Sequence, residues 1–376
     1  MKRFLTLIVL SLLCLSGQAQ QYYMFIGTYT TGAGKGIYLY RFDAATGKAT
    51  ALGETDVENP SYLTFSPDGR FVYAVNENPS GIGGVTSLSF DSLTGSLRVL
   101  NRQSSEGEFP CYVSEDASGK WVMVANYGGG NLSAYRVASD GTLGASAQLI
   151  QHEGKGANQK RQEKPHVHSA VFAPDQHYLL SSDLGLDKVY VYDFRPDEDS
   201  PLSPASTPYV PVRPGSGPRH IDFSPDHRYM YLITELSGEV NVFGYSKGKF
   251  TPIERVPTVI KDTSADKGSA DIHLSPDGKF LYASDRGSTN DIVVFEVHAG
   301  SGKLKRIGAV SCGGTTPRNF SIDPSGHYLV VANQTSSNVV IFKRDLQTGL
   351  LTPTGSPLQV GNPVCIKWWP VPASAH

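Results

Sequence analysis

Residues 217–235, GPRHIDFSPDHRYMYLITE, read as strand, turn, strand. Apolar residues alternate through Ile221 and Phe223, Ser224-Pro225-Asp226 interrupts the pattern with turn chemistry, and Tyr229–Ile233 resumes as an apolar run. Five other stretches share this layout: NPSYLTFSPDGRFVYAVNE (59–77), FPCYVSEDASGKWVMVANY (109–127), HVHSAVFAPDQHYLLSSDL (166–184), GSADIHLSPDGKFLYASDR (268–286) and TPRNFSIDPSGHYLVVANQ (316–334). Most continue into a third strand, such as NLSAYRV, KVYVYDF or NVVIFKR, and a short fourth. Such a unit is a four-stranded antiparallel blade.

The turn anchors Pro67, Ala117, Pro174, Pro225, Pro276 and Pro324 lie 50, 57, 51, 51 and 48 residues apart, a period that belongs to propeller-type repeats. A seventh unit is divided between the termini. YYMFIGTYT (22–30) and GIYLYRFD (36–43) read as second and third strands, and NPVCIKWWP (362–370) supplies the missing inner strand. The expected fold is all-β: one seven-bladed β-propeller over residues 21–376, closed by N- and C-terminal strands that share a blade and leave no unpaired edge. The one long insertion, IQHEGKGANQKRQEKPHV (150–167), accounts for the long interval.

Residues 1–20, MKRFLTLIVLSLLCLSGQAQ, have the layout of a cleaved signal peptide: Lys2 and Arg3, an apolar run, then small residues. The expected product is exported, periplasmic or secreted. Lipid anchoring at Cys14 is the rival reading, disfavoured by the bulky Leu13 before it. No later run is long and apolar enough to span a bilayer as a helix. Residues 21–376 carry 31 basic and 35 acidic side chains, a balance that argues against nucleic acid as a partner. Cys111, Cys312 and Cys365 form no close pair and read as buried fillers.

The repeat allows equivalent positions to be compared at the channel mouth, where the start of each inner strand meets the end of the second. Six residues before the anchors stand Ser61, Cys111, His168, Arg219, Ala270 and Arg318; ten after stand Glu77, Tyr127, Leu184, Glu235, Arg286 and Gln334, with Asp183 the alternative to Leu184 if that loop slips by one. A position that served folding alone would be filled alike in every blade. This pair of rings instead gathers His168, Arg219, Glu235 and Arg286 from three consecutive blades, a set able to bind an anion and move protons. Glu77, Tyr127, His166 and Arg318 are secondary, substrate-binding candidates. An Arg219–Glu235 structural ion pair is the plain alternative. His220, adjacent to Arg219, is expected on the opposite strand face with a structural role. The pair His166 and His168 raises a metal question, but no matching carboxylate or cysteine spacing completes a ligand set, so neither metal nor cofactor is expected. Phosphate loops and G-x-S-x-G nucleophile elbows have no match in the sequence.

FIGTYT, ANYGGGNLSAYRV, RQEKPHVHSAVFAPD, GPRHIDFSPDHRYMYLITEL and YASDRG together resemble the lactonase family of seven-bladed propellers, which includes bacterial 6-phosphogluconolactonase and fungal carboxymuconate cyclases. The resemblance covers nearly all of residues 21–376. It implies an active centre of a His, an Arg, a Glu and a second Arg, which fall on His168, Arg219, Glu235 and Arg286. It implies lactone chemistry, and the requirements of hydrolysing a small, anionic sugar-type lactone suit Glu235 as general base or its orienting partner, His168 as proton shuttle, and Arg219 and Arg286 as holders of the oxyanion or a substrate anion. Export sets the chain apart from a cytosolic sugar-phosphate role. The alternatives are a lactone-forming cyclase of the carboxymuconate type and a non-catalytic propeller that binds a glycan or protein. A monomer or weak oligomer is expected.

Overall fold

The computed structural model describes residues 20–78, 80–259 and 267–373; residues 1–19 of the expected signal peptide, Cys14 among them, lie outside the described residues. Every regular element among the described residues is a β-strand, and the strands form seven antiparallel sheets around an axis. Blade 1 is composite: Pro363–Pro370 is its inner strand, followed outward by Gln21–Thr28, Ile37–Asp43 and Lys48–Thr55. Tyr22 to Gly27 pair antiparallel with Pro370 to Cys365, so the last strand closes the ring against the first, as the divided repeat requires. The inner strands of blades 2 to 7 begin at Leu63, Pro110, Val167, Pro218, Ser269 and Pro317. In blade 7 the outer strand is broken into Leu351–Pro353 and Leu358–Gln359, both paired with Asn338–Arg344.

In blades 2, 3, 5, 6 and 7 the turn between first and second strands is built by one hydroxyl and one carboxylate. In the Ser-Pro-Asp blades, Ser66, Ser224 and Ser275 donate through Oγ to Asp68, Asp226 and Asp277 at 2.7, 2.6 and 2.6 Å, and the same Oγ accepts the N–H that starts the next strand. In blades 3 and 7 the order is inverted. There the carboxylates of Asp116 and Asp323 accept the N–H of Trp121 and Tyr328. Either arrangement satisfies a backbone donor that the turn would leave orphaned.

Blade-to-blade contact supplies the core. Tyr22, Met24, Ile26 and Phe42 of blade 1 pack with Tyr328, Val330 and Ile341 of blade 7 across the closure. Tyr231 and Tyr282, both fully buried, each donate a phenolic hydrogen bond to a turn glycine of the next blade, at Gly302 (3.0 Å) and Gly349 (2.8 Å). Satisfied hydroxyls make these rings usable as core.

Gly69 shows how tightly the closure packs. It adopts φ +70° beneath Trp369 of the closing strand, and an added Cβ would sit 1.8 Å from the indole. Gly69→Ala is therefore expected to destabilise the fold by about 2 kcal/mol or more, through left-handed strain plus overpacking. The readout is a thermal midpoint several degrees lower; an unchanged midpoint would mean that Trp369 does not hold this position.

Candidate active site

One backbone hydrogen bond recurs at the mouth of every blade. The N–H groups of Glu77, Tyr127, Leu184, Glu235, Arg286 and Gln334 donate to the carbonyls of Asn59, Phe109, His166, Gly217, Gly268 and Thr316, and Tyr29 donates to Asn362 in the composite blade, all at 2.7–3.1 Å. Leu184 thus keeps the common register, and the one-residue slip to Asp183 does not occur. Asp183 instead clips the long insertion at both ends, contacting His152 Nδ1 at 2.7 Å and accepting the His166 N–H at 2.9 Å.

The inner-strand position carries a β-bulge. Pairing skips one residue between Pro110 and Tyr112, Val167 and Ser169, and Pro317 and Asn319, and likewise within Pro218–Ile221 and Ser269–Ile272. The extra residue breaks the two-residue alternation. As a result Arg219 and His220 both line the channel, as do Arg318 and Asn319; Ser61 and Tyr62, just before the inner strand of blade 2, line it too. The expectation that His220 faces away from Arg219 is corrected by this bulge. His220 Nδ1 lies 2.7 Å from Asp271 in the channel interior.

Above this layer lies a cavity of about 270 Å³, lined by Glu77, Phe109, Cys111, Tyr127, Arg161, His168, Glu235, Arg286 and Arg318. Six of the eight residues singled out in the sequence therefore border it. Arg219 sits one layer deeper, with its guanidinium buried, donating through Nε to Glu235 Oε2 at 3.0 Å and through Nη1 to the Ala270 carbonyl. His166 does not reach the cavity. It stacks behind Tyr127, and its two nitrogens meet the Tyr127 carbonyl at 3.0 Å and Glu163 at 3.2 Å, so the substrate-binding role expected of it becomes support of Tyr127. A larger open groove of about 770 Å³ flanks Arg213, Glu239 and Arg255 on blades 4 and 5. It contains no imidazole or thiol, so the smaller cavity is the candidate site.

Glu235 is the hub. Its Oε2 meets Arg286 Nη2 at 2.8 Å as well as Arg219, while Oε1 meets Arg161 Nη2 at 2.5 Å. Burial alone would raise the Glu235 pKa, but Arg286, Arg219, His168 and Arg161 outweigh it and hold the carboxyl well below its usual range. It is therefore an anion at neutral pH, with both oxygens engaged by guanidiniums. Burial, reinforced by the charges of Arg219, His220 and Arg318, drives His168 well below the ordinary imidazole value, so it is neutral at neutral pH. Arg219 is lowered by burial and by Arg286 to about 10, and stays charged at neutral pH. Across the cavity, Arg318 Nη2 stands 3.6 Å from Glu77 and its guanidinium lies over the Tyr29 ring. Three guanidiniums, of Arg161, Arg286 and Arg318, face the carboxylates of Glu77 and Glu235, a net positive lining with Arg219 behind it.

Cys111 Sγ lies 3.7 Å from His168 Nδ1, the composition of a cysteine–histidine nucleophile. Burial pushes the thiol pKa up while the imidazole is pushed down, so the proton remains on sulfur and no thiolate forms. All three described cysteines are free and buried. Among the described residues no group of three or more His, Cys, Asp and Glu is arranged to hold a metal ion.

Arg161 was not marked by the repeat, because it lies in the insertion. A signal did exist: the chain leaving the outer strand Leu143–Gln151 must return over the mouth to begin Val167–Phe172 at the axis, so residues inserted there overhang the cavity. Gln162, fully buried, anchors the segment by donating to the Leu184 carbonyl and Asp187, both at 2.8 Å.

The family model "Lactonase, 7-bladed beta-propeller" matches residues 23–368. The chain is 38% identical over 355 residues to the 6-phosphogluconolactonase of Bacillus subtilis, covering 93% of this chain and 98% of that one. It superposes with TM-score 0.90 on a crystal structure from Bacteroides fragilis, at 39% identity over 94% of this chain and 99% of the other. The periplasmic gluconolactonase of Pseudomonas aeruginosa gives TM-score 0.89 at 38% identity, over 94% of this chain and 100% of the other.

Replacing the hub should be far more damaging than removing a rim partner. Glu235→Gln leaves buried guanidiniums without their counter-charge and is expected to cost about 3–5 kcal/mol, whereas Arg161→Gln, whose side chain is 32% exposed, should cost about 1 kcal/mol or less. Denaturant unfolding of both variants checks this, and equal losses would contradict the hub role.

Proposed function

This chain belongs to the seven-bladed β-propeller lactonase family, and from that premise we propose that it hydrolyses a small sugar-type lactone bearing an anionic group, at the mouth of the central channel. The observation that carries this reading is the cavity itself: a neutral imidazole set among an excess of guanidiniums. The relatives named 6-phosphogluconolactonase and periplasmic gluconolactonase support the reaction class.

Lactone hydrolysis needs a proton taken from the attacking water, a cationic seat for the carbonyl oxygen as it becomes an oxyanion, and a proton for the departing ring oxygen. His168 is neutral and borders the cavity, so it can take the water proton and return it to the ring oxygen as the carbonyl carbon–oxygen bond breaks. Arg318, on the cavity wall opposite the Glu235 cluster, supplies charge to the oxyanion. Glu235 fits the orienting half of its two candidate roles, since both its oxygens are occupied by arginines. Arg219 acts from behind the wall by fixing Glu235. Export through residues 1–20 belongs to the same proposal: the substrate is met outside the cytoplasm, and cell fractionation tests this.

His168→Asn is expected to lower kcat for lactone opening by about 10²–10⁴-fold while the far-UV spectrum is retained; pH-stat rates would show it, and an undiminished kcat would remove His168 from the scheme. The pH profile gives a second check. The competent form of His168 is neutral and its pKa is lowered, so activity should hold constant down through pH about 6.5, the ordinary imidazole value, and decline only below it. An acid limb centred at or above that value would contradict the assignment.

A further inference from the structure

Arg161 is the one cavity cation that no repeat position supplies. The four guanidiniums at the site form a gradient of access. The side chain of Arg219 is 1% exposed, those of Arg286 and Arg318 are 17% and 18% exposed, and that of Arg161 is 32% exposed. Arg219 is spent on Glu235 and the Ala270 carbonyl. Arg286 uses Nε on the Gly268 carbonyl at 3.0 Å and Nη2 on Glu235. Arg161 stands outermost, on the insertion, and reaches the cavity from the rim.

Its placement is fixed from three directions. Glu235 Oε1 holds Nη2 at 2.5 Å while Oε2 of the same carboxylate holds Arg286 at 2.8 Å. The following residue, Gln162, is tied into blade 4 at Leu184 and Asp187. The two ends of the insertion are clipped by Asp183. One carboxylate thus sets Arg161 and Arg286 side by side with no ordering left to complete at binding, the condition under which a pair of guanidiniums grips a multivalent oxyanion well. A monoanion or a neutral hydroxymethyl group gains much less from two adjacent cations than a phosphate does.

Resting on the lactonase reading above, we propose that Arg161 is a specificity-determining residue: with Arg286 it forms a rim seat for a phosphate carried on the far end of the sugar, and so selects phosphorylated over plain sugar acids and lactones. His168 and Arg318 would act at the other end of the same molecule, which a cavity of about 270 Å³ accommodates.

The test uses binding, so that it does not depend on turnover. Titration calorimetry of the full-length mature protein with 6-phosphogluconate and with gluconate gives a ratio of affinities. The wild type is expected to favour 6-phosphogluconate by about tenfold or more, the scale of one charge-assisted hydrogen bond. Arg161→Gln should bring that ratio close to one, and Arg161→Lys should restore part of it. A general disturbance of the mouth would weaken both ligands together and leave the ratio intact, which would overturn the proposal. A wild type without preference would overturn it too. Lactone turnover by the wild type is measured separately: preference for the phosphate without lactone opening would sink the hydrolytic reading and leave the role of Arg161 standing.

Discussion

A single carboxylate lets the mouth of this propeller hold its charge. Arg161, Arg219 and Arg286 come from an insertion, an inner strand and the end of a second strand, and would repel one another at their mutual distances in a water-poor setting. Glu235 gives each of them an oxygen within 2.5–3.0 Å, which offsets repulsion and desolvation together. The same contacts leave Glu235 an orienting rather than a proton-transferring group in the proposed reaction, since both its oxygens are occupied by guanidiniums. In the proposed reaction proton movement then falls to His168, which burial and the arginines keep neutral. Positioning and proton transfer are thus divided, in that proposal, between a carboxylate whose oxygens are taken and an imidazole on the cavity wall.

The scaffold makes that division possible by geometry. Repeated hydrogen bonds from the second strand back to the inner strand fix where each ring residue begins, and the bulge beside them turns consecutive side chains toward the axis. Without the bulge, alternate residues would be lost to the interior between blades. With it, a narrow channel carries two layers of polar groups, Arg219 next to His220 and Arg318 next to Asn319. Closure by Pro363–Pro370 keeps the ring from opening under this polar load.

Much of this was legible in the sequence because it is periodic. Turn anchors at near-constant spacing are enough to count blades, and comparing equivalent positions isolates His168, Glu235, Arg286, Glu77, Tyr127 and Arg318 before any coordinate is known, since a role in folding alone would not vary around the ring. What was not legible breaks the period. Arg161 belongs to an insertion that has no counterpart in other blades. His220 was assigned to the wrong face because alternation assumes a regular strand, and the bulge that overrides it leaves no consistent residue type at Cys111, His168, Arg219 and Ala270. His166 shares a face with His168 in a regular strand, yet the same irregularity stacks it behind Tyr127.

The most direct measurement of the whole account is the initial rate at which the purified wild-type protein opens a phosphorylated sugar δ-lactone, compared with buffer alone, at neutral pH and with many substrate molecules per protein. The account predicts acceleration through repeated turnover, with the ring-opened acid as the only product. A rate equal to that of buffer, from folded protein that demonstrably binds the acid, would mean that the charged mouth recognises a ligand without transforming it.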